Sequence, residues 1–289
     1  DGRVTTDFTR LRVRGNTASS VYHGLQSELR GRMFHDSLAH GLSYTYSHNI
    51  DNVSEVFTFL GSGSTAFSQN PFNTGTGERA NSNIDLRHVI AYNFDYNVPW
   101  MKGQAGFLGH VLGGWEFTGI HRWNTGRPMT VVCFACLNPT SDTTFNNAFI
   151  NTFDTVRPFV GSLAAPTGTA GIFAGDACTL GGFLTTAQCT SGNPLFIPST
   201  TLLSLNSLNT SGAVTTMTNA QVQYIVNGAT AASVFGTPFG TSRNSLLAGH
   251  FIRTDFGIFK NNKISERVNV QLRLEVRNAF NTPFLGTPD

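Results

Sequence analysis

The chain has 289 residues, of which 40% are hydrophobic and only 12% charged, with a net charge of +2. Average domains carry about 25% charged residues, so disorder by charge repulsion and a Glu/Lys/Leu-rich coiled coil are both excluded. Lysine occurs only at Lys102, Lys260 and Lys263, and the arginines form no dense cluster, which excludes a nucleic-acid binder.

Phe (24) and Gly (30) are abundant, and Ser, Thr and Asn separate the apolar runs. This is a strand-and-loop composition. No stretch approaches the roughly 18 apolar residues of a membrane helix, but a closed barrel crosses a bilayer with alternating residues and leaves no hydropathy peak. The chain opens on Asp1 with polar residues. It reads as a piece of a longer polypeptide, so its lack of a targeting segment carries no information on location.

In chain order, the first strand pattern is the short Asp7–Arg14. In Val21–Met33, one face carries Val21, His23, Leu25, Ser27, Leu29, Gly31 and Met33, and the other Tyr22, Gln26, Glu28, Arg30 and Arg32. Leu38–Asn49 sets Leu38, His40, Leu42, Tyr44, Tyr46 and His48 against small and polar residues. Ile84–Val98 sets Leu86, His88, Ile90, Tyr92, Phe94, Tyr96 and Val98 against Asp85, Arg87, Val89, Ala91, Asn93, Asp95 and Asn97. In Gly114–Thr125, Trp115, Phe117, Gly119, His121 and Trp123 oppose Glu116, Thr118, Ile120, Arg122 and Asn124. Phe251–Phe259 follows. In Arg267–Phe280, Val268, Val270, Leu272, Leu274 and Val276 alternate with Arg267, Asn269, Gln271, Arg273, Glu275 and Arg277. Alternation of this length predicts strands rather than helices.

Soluble strands average about 5–6 residues, whereas a tilted membrane strand needs about 9–11. Several of these segments reach the longer class. Trp115 and Trp123 are eight residues apart on one face. At about 3.3 Å per residue and a tilt near 40°, they stand about 20 Å apart along a membrane normal, close to the spacing of two aromatic girdles. Trp100 joins the lower one. Phe34–Ser37 and Asn261–Glu266 are short connections, Pro99–Gly113 is intermediate, and Asp51–Asn83 and Pro128–His250 are long. The long connections all fall at one end, as in outer-membrane barrels. The Pro128–His250 segment is too long to be structureless, so short strands or helices are expected within it, for instance around Phe145–Phe153.

These segments resemble a known family. The run Tyr22-His-Gly-Leu-Gln-Ser-Glu-Leu-Arg30 followed by Gly41-Leu-Ser-Tyr-Thr-Tyr-Ser-His-Asn-Ile-Asp51 is similar to a barrel hairpin of TonB-dependent outer-membrane receptors of the Oar-like subgroup, which carry a carboxypeptidase-regulatory-like domain. Further matches follow in order: Asp85-Leu-Arg-His-Val89, Leu112-Gly-Gly-Trp-Glu-Phe-Thr-Gly-Ile120, Thr125-Gly-Arg-Pro-Met129, Ser242-Arg-Asn-Ser-Leu246, Asp255-Phe-Gly-Ile-Phe-Lys260 and Glu275-Val-Arg-Asn-Ala-Phe-Asn281. The resemblance implies an all-β, antiparallel up-and-down transmembrane barrel of about 22 strands, plugged by an N-terminal domain. About seven strands are read here. Residues 1–289 then correspond to the C-terminal portion of the barrel, with external loops at about 51–83 and 128–250, and with the plug and the last strand lying elsewhere. The implied function is energy-coupled uptake of a carbohydrate, peptide or metal chelate across the outer membrane. The implied partners are outer-membrane lipid, the rest of the barrel and its plug, a TonB-type energy-coupling protein and an extracellular ligand. The segment alone, with open edges and a bare apolar face, is expected not to fold as a soluble monomer.

Cys133, Cys136, Cys178 and Cys189 lie in the long external loop of an exported protein, where thiols oxidise. Cys133-Phe-Ala-Cys136 runs into a loop rather than a helix, and Cys178 and Cys189 are too far apart for a second zinc-type pair. Disulfides are expected and no metal site. Three connectivities are possible, with neighbour pairing preferred. His23, His40, His88 and His121 fall on apolar faces of different strands and read as packing residues. Glu28, Arg30, Arg32, Asp85, Arg87, Asp95, Arg253, Asp255, Arg273, Glu275 and Arg277 share the polar faces. They are candidates for the lumen wall, either as a ligand path or as ion pairs in a hydrated interior. Trp100, Trp115 and Trp123 are the candidate lipid-interface aromatics. No nucleophile, zinc, phosphate-loop or dinucleotide motif occurs, so no enzyme activity and no cofactor are expected. The alternatives are a surface adhesin or structural barrel, an outer-membrane hydrolase, and a soluble β-domain.

Overall fold

The computed structural model describes residues 15–54, 68–70, 73, 75, 77–133, 157–180, 182–265 and 267–283. The expected strand at Asp7–Arg14 and the region around Phe145–Phe153 lie outside the described residues.

The chain begins with two 14-residue strands, β1 (Ser20–Met33) and β2 (Leu38–Asp51), paired antiparallel along their whole length. Four residues join them. The Ser37 N–H donates to Phe34 O at 3.1 Å, and Phe34, His35 and Asp36 all adopt positive φ, as a tight hairpin with right-handed twist requires. After the first long connection come the two-residue β3 (Ala80–Asn81), β4 (His88–Asn97) and β5 (Trp115–Asn124). The link between β4 and β5 contains a short helix, Gly106–Leu112, which ends at Gly113 and Gly114. A Cβ at Gly113 would lie 2.1 Å from Met101 O, and one at Gly114, where φ is +75°, would lie 2.2 Å from Asn261 O. Only glycine lets the helix turn into β5 this close to the neighbouring strand.

The second long connection holds β6 (Pro128–Met129), β7 (Phe159–Val160), β8 (Ala170–Phe173), β9 (Leu202–Ser204), β10 (Tyr224–Ile225) and β11 (Leu246–Leu247). Short helices at 174–179, 186–189, 205–211 and 229–235 accompany them. The chain returns through β12 (Phe251–Lys263) to β13 (Asn269–Val276).

The long strands form one sheet in the order β1-β2-β4-β5-β12-β13, with β3 added to the end of β2, and every pairing is antiparallel. Sequence neighbours are spatial neighbours throughout. The architecture is all-β and up-and-down, and the sheet is not closed. The long connections, β2 to β4 and β5 to β12, leave from one end. The tight turns leave from the other.

Three element ends differ from the alternation pattern. Residues 84–87 stand ahead of β4 because Asp85 accepts the backbone N–H of Asn49 at 2.7 Å, which curls this segment over the end of β2. Strand β13 stops at Val276 rather than running to Phe280. Asn278 takes a positive φ, donates its N–H to Asp255 Oδ1 at 2.7 Å, and accepts the Thr282 N–H at 3.1 Å. Asn tolerates that conformation where Val or Phe does not. Strand β12 runs on to Lys263, so its turn to β13 falls at 264–268.

The packed core lies in the second long connection. A four-stranded sheet, β7-β10-β8-β9, mixes one parallel pair (β10 with β8) with antiparallel ones. Ile172, Leu203, Leu205, Leu208 and Val226 fill one cluster. Phe159, Phe173, Leu202, Val222 and Ile225 fill a second, with Phe235 stacked on Phe159. Asp176, itself buried, accepts the N–H groups of Thr230 and Ala231 at 2.7 and 2.9 Å and so fastens the start of helix 229–235.

Register can be checked by cross-linking in the folded protein. Cysteines at Leu29 and Leu42, directly opposite on one face, should form a disulfide, seen as a mobility shift lost on reduction. Cysteines at Leu29 and Ser43 lie on opposite faces and should not cross-link. The reverse result rejects this register.

Candidate functional site: the polar face and the loop clasp

Because every ladder is in step, the two faces keep their character across all six long strands. One face runs Leu29, Leu42, Tyr92, His121, Thr254 in one row and Met33, Leu38, Tyr96, Phe117, Ile258, Leu274 near the short-turn end. Its large side chains are uncovered at the two edges: Leu25 is 64% exposed and Leu272 64%. The expected apolar-face histidines sit among aromatics. His88 Nδ1 is 2.9 Å from the Tyr44 hydroxyl, and its ring contacts those of Tyr46 and Trp123. His40 faces Tyr92, and His121 Nδ1 is 2.8 Å from Thr254 Oγ1. His23 is paired across the ladder with His48. Among the described residues, no three His, Cys, Asp or Glu side chains converge as a metal would require.

Trp115 and Trp123 lie on this same face, and Trp100 is exposed in the turn region after β4. One charge also stands there. Lys260 pairs with Trp115 and Leu272, and it is buried. Its ammonium donates to Gly113 O and, at 3.0 Å, to Asn262 Oδ1, and it lies 5.6 Å from the Trp115 ring centroid. A period-two count from Ile252 through Phe256 and Ile258 places Lys260 on the apolar face, so the signal was in the sequence.

The opposite face collects the charges. Glu28 and Arg30 pair at 2.6 Å, Arg253 and Asp255 at 3.0 Å, and Arg273 and Glu275 at 3.4 Å, with Arg277 4.0 Å from Glu275. These are pairs two residues apart on one strand, where side chains share a face. Asp95 accepts from Asn97 at 2.9 Å, and Arg32 lies opposite Ala39. Asp85 and Arg87 pair at 3.1 Å in the segment that leads into β4 rather than in the ladder. Arg122 also lies on this face, opposite Arg253.

At the long-loop end, two arginines are almost wholly buried. Arg243 is 1% exposed; it donates to Ser54 Oγ at 2.7 Å, to Asp51 O at 2.8 Å and to the Asp51 carboxylate. Arg157 is paired with Glu78 at 2.7 Å. Burial lowers the Arg157 guanidinium from its ordinary value, and the charge of Glu78 opposes that shift. Glu78 also accepts the Gln69 N–H at 2.9 Å, and Gln69 in turn donates to Thr241 O at 3.0 Å. Asn244 donates to Asn81 O at 2.7 Å, and Thr130 Oγ1 lies 3.0 Å from Asn244 Oδ1. β11 pairs with β6 beside them. Charges cancel within this clasp, and it joins the end of β2, the first long connection and both ends of the second.

Cys178 and Cys189 are bonded to one another, as neighbour pairing predicts. Cys133 is also disulfide-bonded, and Cys136 lies outside the described residues. A cavity of about 240 Å³ beside Cys133 is lined mainly by apolar groups, including Val131, Leu205 and Ile225. Tyr224 reaches its wall, and burial raises its phenol above the ordinary value.

The sequence matches the outer membrane beta barrel domain family over residues 2–289. The chain belongs to that family. No curated protein and no solved structure matches it. As an outer-membrane barrel chain it resides in the outer membrane of a Gram-negative-type bacterium, in contact with lipid. For such a barrel, the uncovered apolar face is not an unfinished core, and its packed core belongs to the loops.

The clasp generates a direct expectation. Arg243→Met leaves Asp51 buried without its partner, which costs about 3–5 kcal/mol. Amide hydrogen exchange should accelerate across the 222–247 segment while β4 and β5 remain protected. Unchanged exchange in that segment removes the clasp from the account.

Proposed function

We propose that the chain is the C-terminal part of a TonB-dependent receptor barrel that takes up a scarce ligand, with the long-loop unit as its capture surface. The observation that carries this reading is the segregation of the molecule. Among the described residues, a folded, disulfide-bonded unit stands at the long-loop end, fastened to the end of β2 by the buried Arg243–Asp51 pair and to the first long connection by Arg157–Glu78. Several motifs that resemble the receptor family fall on that junction. Ser242-Arg-Asn-Ser-Leu246 supplies Arg243 and Asn244, Thr125-Gly-Arg-Pro-Met129 supplies β6, and Asp85-Leu-Arg-His-Val89 supplies the carboxylate over β2. A plug domain, the closing strands and an energy-coupling partner complete the machine. Carbohydrate, peptide and metal chelate all remain in the ligand class.

In this reading the apolar face meets lipid, with Trp115 and Trp123 near its two borders, and the charged face lines the lumen. Leu42→Arg should then cost about 2–4 kcal/mol of barrel stability, the depth-dependent penalty for a lipid-facing arginine. Thr45→Arg, on the opposite face, should cost little. Denaturant midpoints in detergent or lipid compare the two, and equal costs reject the assignment of faces.

Transport is tested in cells. Loss of the gene and loss of the energy-coupling protein should abolish accumulation of the same nutrient from a panel of oligosaccharides, peptides and metal chelates. If the gene deletion leaves every uptake intact but removes attachment to surfaces, the chain is an adhesin.

A further inference from the structure

We propose that Arg122 and Arg253 form a subsite for a multi-oxygen anion, a carboxylate or a phosphate, on the wall of the lumen just below the external loops. This rests on the assignment of the charged face to the lumen.

The two arginines are direct partners across the β5–β12 ladder. Side chains in such a position leave Cβ atoms about 4.5–5.5 Å apart, and like charges placed there repel. Compensation from the protein is partial. Asp255 takes both of its contacts from Arg253 Nε, at 3.0 Å to each oxygen, which leaves the terminal nitrogens of Arg253 to other acceptors. Asp255 is also engaged by the Asn278 N–H. Arg122 is exposed and makes no ion pair among the described residues. Arg277, just past β13, adds a third guanidinium, held loosely at 4.0 Å from Glu275. An anion with two or more oxygens, placed between the forks of Arg122 and Arg253, removes the repulsion that the ladder imposes. Guanidinium groups bind such anions two bonds at a time.

The surroundings leave room for it. On the other side of Arg122 the ladder carries Ala91, and beyond it Ser43. Ala91 and Ser43 make a low floor beside the Arg122 guanidinium, and the row ends at Glu28, whose carboxylate is taken by Arg30. Ile120 is 45% exposed on the same face and offers an apolar contact for the body of a ligand. Arg253 is the third residue of β12 counted from the long-loop end, so a ligand leaving the loop unit meets this row early.

The test uses the full-length receptor in detergent with one reporter, Ala91→Cys. The reporter should react about tenfold faster with an anionic methanethiosulfonate than with a cationic one, the ratio expected when a positive centre lies about 6 Å away. Arg122→Gln should remove that preference. Inorganic phosphate or citrate at millimolar concentration should protect the reporter, and which of them protects identifies the oxyanion. Arg122→Lys should keep the rate preference but lose the protection, because an ammonium lacks the planar fork. Equal rates with both reagents and no protection overturn the anion site while leaving the lumen assignment in place. A reporter that neither reagent reaches, but that a bilayer-soluble maleimide labels, overturns the lumen assignment and the site with it.

Discussion

A strand that crosses a bilayer has no water with which to satisfy its backbone, so every N–H and C=O must find its partner on a neighbouring strand. That requirement organises this chain. It selects an unbroken meander in which each strand pairs with the one before it, and it makes register a matter of all or nothing. A slip of one residue anywhere would bring a strand's polar side chains to the apolar side. From Met33 and Leu38 through Tyr96 and Phe117 to Ile258 and Leu274, the register holds across the sheet. The two faces therefore differ in kind along their full width.

The usual relation between core and surface is inverted as a result. Leu25, Leu29, Leu272 and Leu274 are open at the edges of the sheet, while Ile172, Leu203, Val222 and Ile225 are wholly buried in a loop. Burial of such side chains is worth about 1.5–3 kcal/mol each, so the loop unit has a driving force of its own that owes nothing to lipid. The barrel wall relies on its medium instead. Lys260 is the exception that fits this arrangement: among the described residues it is the one charge on the apolar face of the long strands, and it is turned back onto a backbone carbonyl and an indole ring.

The two halves are joined by buried ion pairs and the hydrogen bonds around them. Arg243 reaches Asp51 and Arg157 reaches Glu78, and all four groups are nearly free of solvent. A buried pair costs so much to desolvate that it contributes little net stability, but it tolerates no other partner geometry. It therefore fixes where the loops sit on the mouth. On the wall beneath, Arg122 has no ion pair among the described residues, and Arg253 meets Asp255 only through Nε in a half-exposed setting.

The strands themselves were legible. Alternation located five of the six long strands and their faces, because a sustained period of two has no helical counterpart; Phe251–Phe259 was expected as a strand, but its faces came only from its pairing with β5 and β13. The pairing of Cys178 with Cys189 was the preferred one of three connectivities because the two are near in sequence, and loop asymmetry was legible from the lengths of the connections. Strand ends were not, since Asp85 and Asn278 end or delay a strand by hydrogen bonds to residues far away in sequence. Nor were the clasp and the Arg122–Arg253 row. Arg243 and Asp51 are 192 positions apart, and Arg122 meets Arg253 only once β5 and β12 become neighbours across a connection of more than a hundred residues. Periodicity reports which face a side chain takes, whereas its opposite number is decided by pairing, and pairing belongs to the tertiary structure.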